Sequence, residues 1–232
     1  MPSRPSESAR RPAAPTWREQ AVLPIAFYGR DTRVVARDLI GCVVTTGNGA
    51  TLAAGRIVEA EAYGGREDPA SHAARGPTRR AAIMFGPPGV AYVYLIYGLN
   101  HCLNFVTERD GVAGAVLIRS LEPLAGVALM ARRRAAGRNS PGALSARELC
   151  RGPGNLCRAL GIDRRWNGLS LQGPRLRVLA RQGPRPSLIA TPRQGVRAAA
   201  ERPWRFLDAA SGCVSGARAG AAAPGGRARR RV

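Results

Sequence analysis

Gly55-Arg56-Ile57-Val58-Glu59-Ala60-Glu61-Ala62-Tyr63 is followed, beyond a polar loop, by Val90-Ala91-Tyr92-Val93-Tyr94-Leu95-Ile96-Tyr97-Gly98-Leu99-Asn100-His101-Cys102-Leu103-Asn104. Side chains on a strand alternate between its two faces. Glu59, Glu61 and Tyr63 therefore share one face of the first run, and Val58, Ala60 and Ala62 share the other. Such a strand buries a small apolar back and turns a polar front toward a cleft, which makes Glu61 a candidate functional carboxylate. A half-wet strand can also carry carboxylates for solubility alone. The aromatic run that follows weighs against that: Tyr92 and Tyr94 share a face, and Tyr97 sits at or beside the tip of a hairpin turned by Gly98 and Asn100. A tyrosine at a hairpin tip either folds back onto the sheet or projects, and projection is what a wedge into a base stack requires.

Around these runs the chain reads as alternating short elements. Asp31 caps an amphipathic helix whose apolar stripe ends at Gly41. Cys42–Thr46 and Thr51–Tyr63 read as strands joined through Gly47-Asn48-Gly49. Gly64–Pro88 is a long loop carrying His72, of the kind that is either functional or disordered; a lone loop histidine is more often a surface residue than a catalyst. Val112–Ser120, with Arg119 near its end, reads as a strand, and a helix is expected from about Leu124 to Arg134. A loop follows from Arg138 to Ser145. Gly152-Pro153-Gly154-Asn155 opens a further helix whose free N–H groups suit a phosphate, or simply an ordinary helix start. Ser170–Arg181 and Ser187–Thr191 read as strands, and Arg205 and Phe206 belong to a last apolar element.

The 232 residues suit one domain with tails: residues 1–20 and 217–232 as disordered basic tails around a domain spanning 21–216. The formal net charge is +21, and all 36 basic residues are Arg. The N-terminal tail holds +2 and the C-terminal tail +5, which leaves +14 on residues 21–216. A basic folded body implies a polyanionic partner, nucleic acid before membrane. No apolar run approaches the length of a membrane span and the start lacks a signal-peptide core, so nothing points to export or insertion and the chain reads as intracellular. Five cysteines at scattered spacings, with no C-x-x-C, read as reduced thiols. Neither histidine is spaced with acids or cysteines as a metal ligand would be, so no metal or cofactor is expected.

Several of these segments together resemble the alkyladenine (3-methyladenine) DNA glycosylase family. They are the Gly55–Tyr63 run, Asp68-Pro69-Ala70-Ser71-His72, Tyr92–Gly98, Cys102-Leu103-Asn104, Leu117-Ile118-Arg119, Leu121-Glu122-Pro123 and Gly152–Leu156, in order between about Phe27 and Phe206. The resemblance implies a single mixed α+β domain around a curved antiparallel sheet with peripheral helices and an aromatic hairpin for DNA insertion. It implies a monofunctional glycosylase of base-excision repair, DNA-associated and acting on double-stranded DNA that contains damaged purines. The sequence gives no direct sign of oligomerisation, so a monomer is the default state. By position, Glu61 matches the carboxylate that activates water and Arg119 the residue that helps hold that water. Tyr63, His72 and Tyr94 match the walls that sandwich the extruded base. Asn104 matches the residue that disfavours normal guanine, and Tyr97 the wedge that fills the vacated stack. Ala81 stands where the family commonly has Asn, and Leu99 where it has Met.

The chemistry agrees with that pattern. A base inside a duplex is unreachable, so extrusion must precede hydrolysis and be offset by stacking and backbone contacts. Alkylation at N3 or N7 leaves a purine cationic, which makes it a better leaving group and one expected to be held more tightly between aromatic faces. One carboxylate to deprotonate water then suffices, unlike the paired acids of ordinary glycosidases. The competing reading is a non-catalytic module that binds damaged nucleic acid, which needs the basic surface and the aromatics but not Glu61.

Overall fold

The computed structural model describes residues 17–136 and 144–216. The expected tails, 1–16 and 217–232, and most of the loop expected from Arg138 lie outside the described residues. In chain order the elements are α1 (Ile25–Tyr28), α2 (Thr32–Leu39), β1 (Val43–Thr46), β2 (Ala53–Tyr63), β3 (Ala91–Ile96), β4 (Asn100–Val106), β5 (Ala115–Ala125), α3 (Val127–Ala135), α4 (Ala146–Leu149), α5 (Pro153–Leu160), β6 (Leu176–Leu179), β7 (Leu188–Thr191) and β8 (Arg205–Asp208). The eight strands form one sheet, ordered β3-β4-β5-β2-β1-β6, with β8 pairing β2 and β7 pairing β8. Every pairing is antiparallel, so the fold is the expected α+β arrangement.

The sheet is organised around β2. One edge of β2 pairs with β5 along nearly its whole length, while the other edge is shared, its first half with β1 and its second with β8. Helices α2, α3 and α5 pack against this centre. Their apolar stripes join Ile57, Ala60, Phe105 and Ile118 of the strands in the main core, with Leu39, Met130 and Leu156 from the helices. Each large apolar side chain buried there contributes on the order of 1.5–3 kcal/mol. At the head of α2, the Asp31 carboxylate accepts from the Arg33 and Val34 N–H groups, the cap read from sequence.

Four expectations change. Alternation along β2 breaks at Val58, where the register to β5 slips around Glu59. A bulge puts two residues opposite one and re-aims the side chain, so Val58 packs with Leu207, Cys213 and Val214 instead of joining Ala60 in the main core. Glu59 and Glu61 nevertheless stay together. Second, β5 runs on through Leu121-Glu122-Pro123 to Ala125, and α3 starts only at Val127. Pro123 lies opposite Gly55 beside another register shift, a setting in which a strand tolerates a residue without an N–H. Third, Ser170–Arg181 yields only the short β6, because Gly173-Pro174 interrupts the run. Fourth, Trp17–Gln20, placed with the N-terminal tail from sequence, are described: Trp17–Glu19 form a 3₁₀ turn, and Trp17 packs on Val43, Ala54 and Leu179.

The loop between β2 and β3 is ordered by its own hydrogen bonds. Asp68 accepts from the N–H groups of Gly64 and Ala70, Ser71 Oγ from Ala73, and Thr78 Oγ1 from Ala81. Two 3₁₀ turns, His72–Arg75 and Ala82–Phe85, punctuate it. Ala81, in the position where the resembling family has Asn, is fully buried with Ala73, Met84 and Tyr92 in a small second core. The β3–β4 hairpin closes with the Leu99 N–H donating to Ile96 at 3.1 Å, across a turn whose central residues Tyr97 and Gly98 have φ of 51° and 70°. Positive φ at both central positions is the turn whose twist matches a hairpin.

Candidate active site

A pocket of about 270 Å³ opens between the end of β2, the β3–β4 hairpin, the His72 loop and the segment 194–196. Tyr63, His72, Tyr94, Asn104, Arg119 and Tyr97 all line it, so six of the seven residues singled out from sequence converge on one cavity. The seventh, Glu61, lies beneath it with no solvent-exposed surface. Its Oε2 accepts from the Tyr63 hydroxyl at 2.8 Å and from Arg119 Nη1 at 3.2 Å, and its Oε1 accepts from the Gln194 N–H at 2.8 Å.

Arg119 links the two carboxylates. Its Nε donates to Glu59 Oε1 at 2.9 Å, while Nη2 donates to the Gln194 side-chain oxygen at 2.8 Å and to Ser215 Oγ at 3.3 Å. Glu59, also fully buried, collects further donors: Arg205 Nε at 2.7 Å, Ser120 Oγ at 2.9 Å and the Ser215 N–H at 2.6 Å. Burial alone would raise the Glu59 pKa; the charge of Arg119, the Ser215 N–H and Arg205 outweigh it and hold the group below its ordinary value. Of the two carboxylates, Glu61 is the one whose partners Tyr63, Arg119 and Gln194 line the pocket, whereas Arg205, Ser120 and Ser215 around Glu59 do not. Two carboxylates and two guanidiniums, all buried, cancel in charge.

The aromatic walls are held from outside the cavity. Tyr94 meets His72 edge-to-face at 4.7 Å between centroids, and Tyr92 lies 5.2 Å from Tyr94. His72 Nδ1 is 2.9 Å from the Tyr92 hydroxyl. Burial, reinforced by Arg80, pushes the His72 pKa down to about 4, so its ring is neutral at neutral pH. The Arg80 guanidinium lies over the Tyr94 ring at 4.5 Å, and Arg193 lies over Tyr63 at 4.8 Å. Arg193 is itself buried, paired with both oxygens of Asp68 at 2.6 and 2.8 Å and donating to the Ala62 carbonyl. Asn104 donates through Nδ2 to the Tyr92 and Cys102 carbonyls, which leaves its side-chain oxygen for the pocket. Pro153 brings the start of α5 to the rim, and Gly154 packs so tightly on Asn100 that a Cβ there would lie 2.9 Å from it.

Tyr97 stands 87% exposed at the hairpin tip, with Leu99 beside it at 76%. Both project; neither folds back onto the sheet.

Sequence reading missed several members of this arrangement. Tyr92 shares a face with Tyr94 in the sequence, but nothing there gives it a part of its own. Arg205 reads as part of an apolar element, although an arginine inside Arg205-Phe206-Leu207-Asp208, a strand with every residue buried, is the kind of position that needs a buried anion. Arg193, Gln194 and Ser215 carried no local signal at all.

Comparison with known proteins agrees with the geometry. The family model described as Methylpurine-DNA glycosylase matches residues 26–212. A protein of Anaeromyxobacter dehalogenans is 49% identical over 197 residues, 83% of this chain and 86% of its own length. One from Methanocella arvoryzae is 47% identical over 198 residues, covering 84% and 96%. One from Koribacter versatilis is 45% identical over 201 residues, covering 85% and 95%. Each carries the name "Putative 3-methyladenine DNA glycosylase".

Two predictions follow the electrostatics. Glu59→Gln leaves Arg119 and Arg205 buried with one anion fewer, so the midpoint of urea unfolding should report a loss of about 3–5 kcal/mol. A loss below about 1 kcal/mol would mean that the cluster does not hold the sheet centre. Acid should act in two stages. His72 has a folded pKa near 4 against an ordinary 6.5, so between these values the unfolded chain binds a proton that the folded one refuses. Stability should fall as pH drops from about 6.5 toward 4, and His72→Gln should flatten that limb. Glu59 and Asp68, both held below their ordinary values of 4.5 and 3.8, stabilise above those values and should add a steeper loss below them. An unfolding midpoint that stays level from pH 6.5 to 4 would contradict the His72 assignment.

Proposed function

This chain belongs to the methylpurine-DNA glycosylase family, and from that premise we propose that it extrudes a damaged purine from duplex DNA and hydrolyses its N-glycosidic bond with water activated by Glu61. The enzyme class is a hydrolase of N-glycosyl bonds. The observation that carries the mechanism is the Glu61–Arg119 contact at the floor of an aromatic-walled pocket whose rim bears the projecting Tyr97.

Each step has its residues. Tyr97, held outward by its turn, enters the stack as the purine leaves, and contacts from the basic surface to the phosphates fix the register. The purine slides between Tyr63 on one side and His72 with Tyr94 on the other. Asn104 presents its oxygen to the base edge. Because Glu61 has no exposed surface, the attacking water reaches it through the floor bounded by Tyr63, Arg119 and Gln194. Arg119 has five N–H groups; the four acceptors it meets among the described residues leave one Nη1 hydrogen to hold that water. The water oxygen bonds to the sugar C1′, its proton passes to Glu61, and the electron pair of the broken C1′–N9 bond leaves with the base. The lesions that suit this pocket are 3-methyladenine, 7-methylguanine, hypoxanthine and ethenoadenine, and the place of action is on DNA inside the cell.

A module that only binds damage would not need Glu61, so Glu61→Gln separates the readings. Wild-type protein incubated with methylated duplex should release free 3-methyladenine; the variant should bind the duplex about as well while its single-turnover release falls by about 10²–10⁴-fold. The substitution has a structural cost, since all three partners of Glu61 are donors and the Gln amide must face one of them, at about 1–3 kcal/mol of stability. Tight binding with no base release by the wild type would leave the binding-module reading standing.

Tyr97→Ser removes the exposed aromatic surface without touching the core. Extrusion should become less favourable by roughly 1–3 kcal/mol, the range for base–aromatic stacking. That loss should shrink when the lesion faces a mismatch, where less stacking is broken. Equal losses on matched and mismatched duplexes would argue against a wedge.

A further inference from the structure

Two aromatic side chains that line the pocket each carry an arginine against the ring. Tyr63 and Tyr94 line the cavity, whereas Arg193 and Arg80 do not, yet their guanidiniums lie 4.8 and 4.5 Å from the centroids of those two rings. A purine seated against these rings therefore lies near two guanidiniums that stand outside the cavity lining. The two cations differ in how they are neutralised. Arg193 is paired with Asp68 through two hydrogen bonds. Arg80 is exposed and has no ion-pair partner among the described residues. The floor carries no net negative charge, because Glu59 and Glu61 are matched by Arg119 and Arg205.

A cation over a tyrosine ring draws on the same π density that would attract a second cation at the opposite face. It also repels that second cation directly. We infer that Arg80, acting through Tyr94, is a specificity-determining residue that disfavours purines already carrying a positive charge and so biases the pocket toward neutral damaged purines. This runs against the expectation, drawn from the tyrosines alone, that a cationic base is held more tightly between aromatic faces. The inference rests on the glycosylase reading and narrows its substrate class.

The size of the effect follows from the geometry. The Arg80 guanidinium lies 4.5 Å from the ring centre, and a base in contact with the ring lies about 3.5 Å from it, so the two charges stand at most roughly 8 Å apart. Between the effective dielectric of water and that of a protein surface, this separation changes affinity by about 2- to 30-fold.

The experiment compares two bases of the same shape in the same duplex. One strand carries 7-methylguanine on a 2′-fluoro sugar, which resists hydrolysis; the other carries its neutral isostere, 7-deaza-7-methylguanine. Affinities of the full-length wild type, Arg80→Gln and Arg80→Lys are measured for each, and the cationic-to-neutral affinity ratio is taken, so that any general loss of DNA contact from the substitution cancels. Arg80→Gln should raise that ratio by about 2- to 30-fold, and Arg80→Lys, which keeps the charge, should leave it near the wild-type value. Single-turnover release of 7-methylguanine relative to hypoxanthine from natural duplexes should move the same way. An unchanged or lower ratio in Arg80→Gln overturns the inference, as does an equal rise in both variants, which would trace the effect to ring packing. If the wild type releases neither base, the glycosylase reading fails together with this one; release with an invariant ratio defeats this inference alone.

Discussion

The buried ion cluster of Glu59, Arg119, Glu61 and Arg205 is the constraint on which the rest of the molecule depends. It joins β2, β5 and β8 at the middle of the sheet and reaches the segment at Ser215. A lone buried charge is very costly, so none of these residues can be satisfied until all three strands and that segment are in place. The cluster is consequently a test of correct assembly as well as a product of it. Both oxygens of Glu61 are held by donors, so the carboxylate is fixed in orientation, which is the preorganisation its proposed role as general base requires.

The bulge at Val58 connects this cluster to the pocket. Slipping the register around Glu59 lets Arg119 pass between the two carboxylates instead of lying opposite a single ladder partner. The same sheet then presents Tyr63, at the end of β2, to the aromatic hairpin of β3 and β4. The loop carrying His72 is drawn over that gap by Asp68, whose pair with Arg193 ties residues 64–70 to a segment more than a hundred positions away. Strand register, loop closure and wall placement are thus one linked arrangement, and a change at Asp68 or Arg193 reaches the pocket without touching a base.

Electrostatics also divides the labour among the chain's many arginines. Those in the centre are spent on carboxylates, while Arg80 remains at the surface beside the aromatic wall. Arginine suits both duties, since its planar fork pairs two acceptors at once and its flat face stacks on rings. A lysine could form neither the bidentate pair with Asp68 nor the layered contact with Tyr63 and Trp204 that Arg193 makes.

What the sequence determined by itself was local. The β2 run with its carboxylates on alternate positions, the tyrosines spaced by two on β3, the Tyr97-Gly98 turn and the Asp31 cap each depend on residues within a few positions of one another, where backbone sterics and side-chain period act directly. Resemblance in motif order then added roles for Arg119, His72 and Asn104, far apart in the chain. Tertiary structure decided the rest. That Glu59 sits deep in the ion cluster while Glu61 lies just beneath the pocket follows from Arg205 and Ser215 closing on Glu59 alone, partners about 150 residues downstream. Gln194 meets both Glu61 and Arg119, and Arg193 backs Tyr63, only because β7 and β8 bring their connection across the sheet. Buried charges are satisfied by whatever donors the fold delivers in three dimensions, and no periodicity along the chain encodes which ones those are.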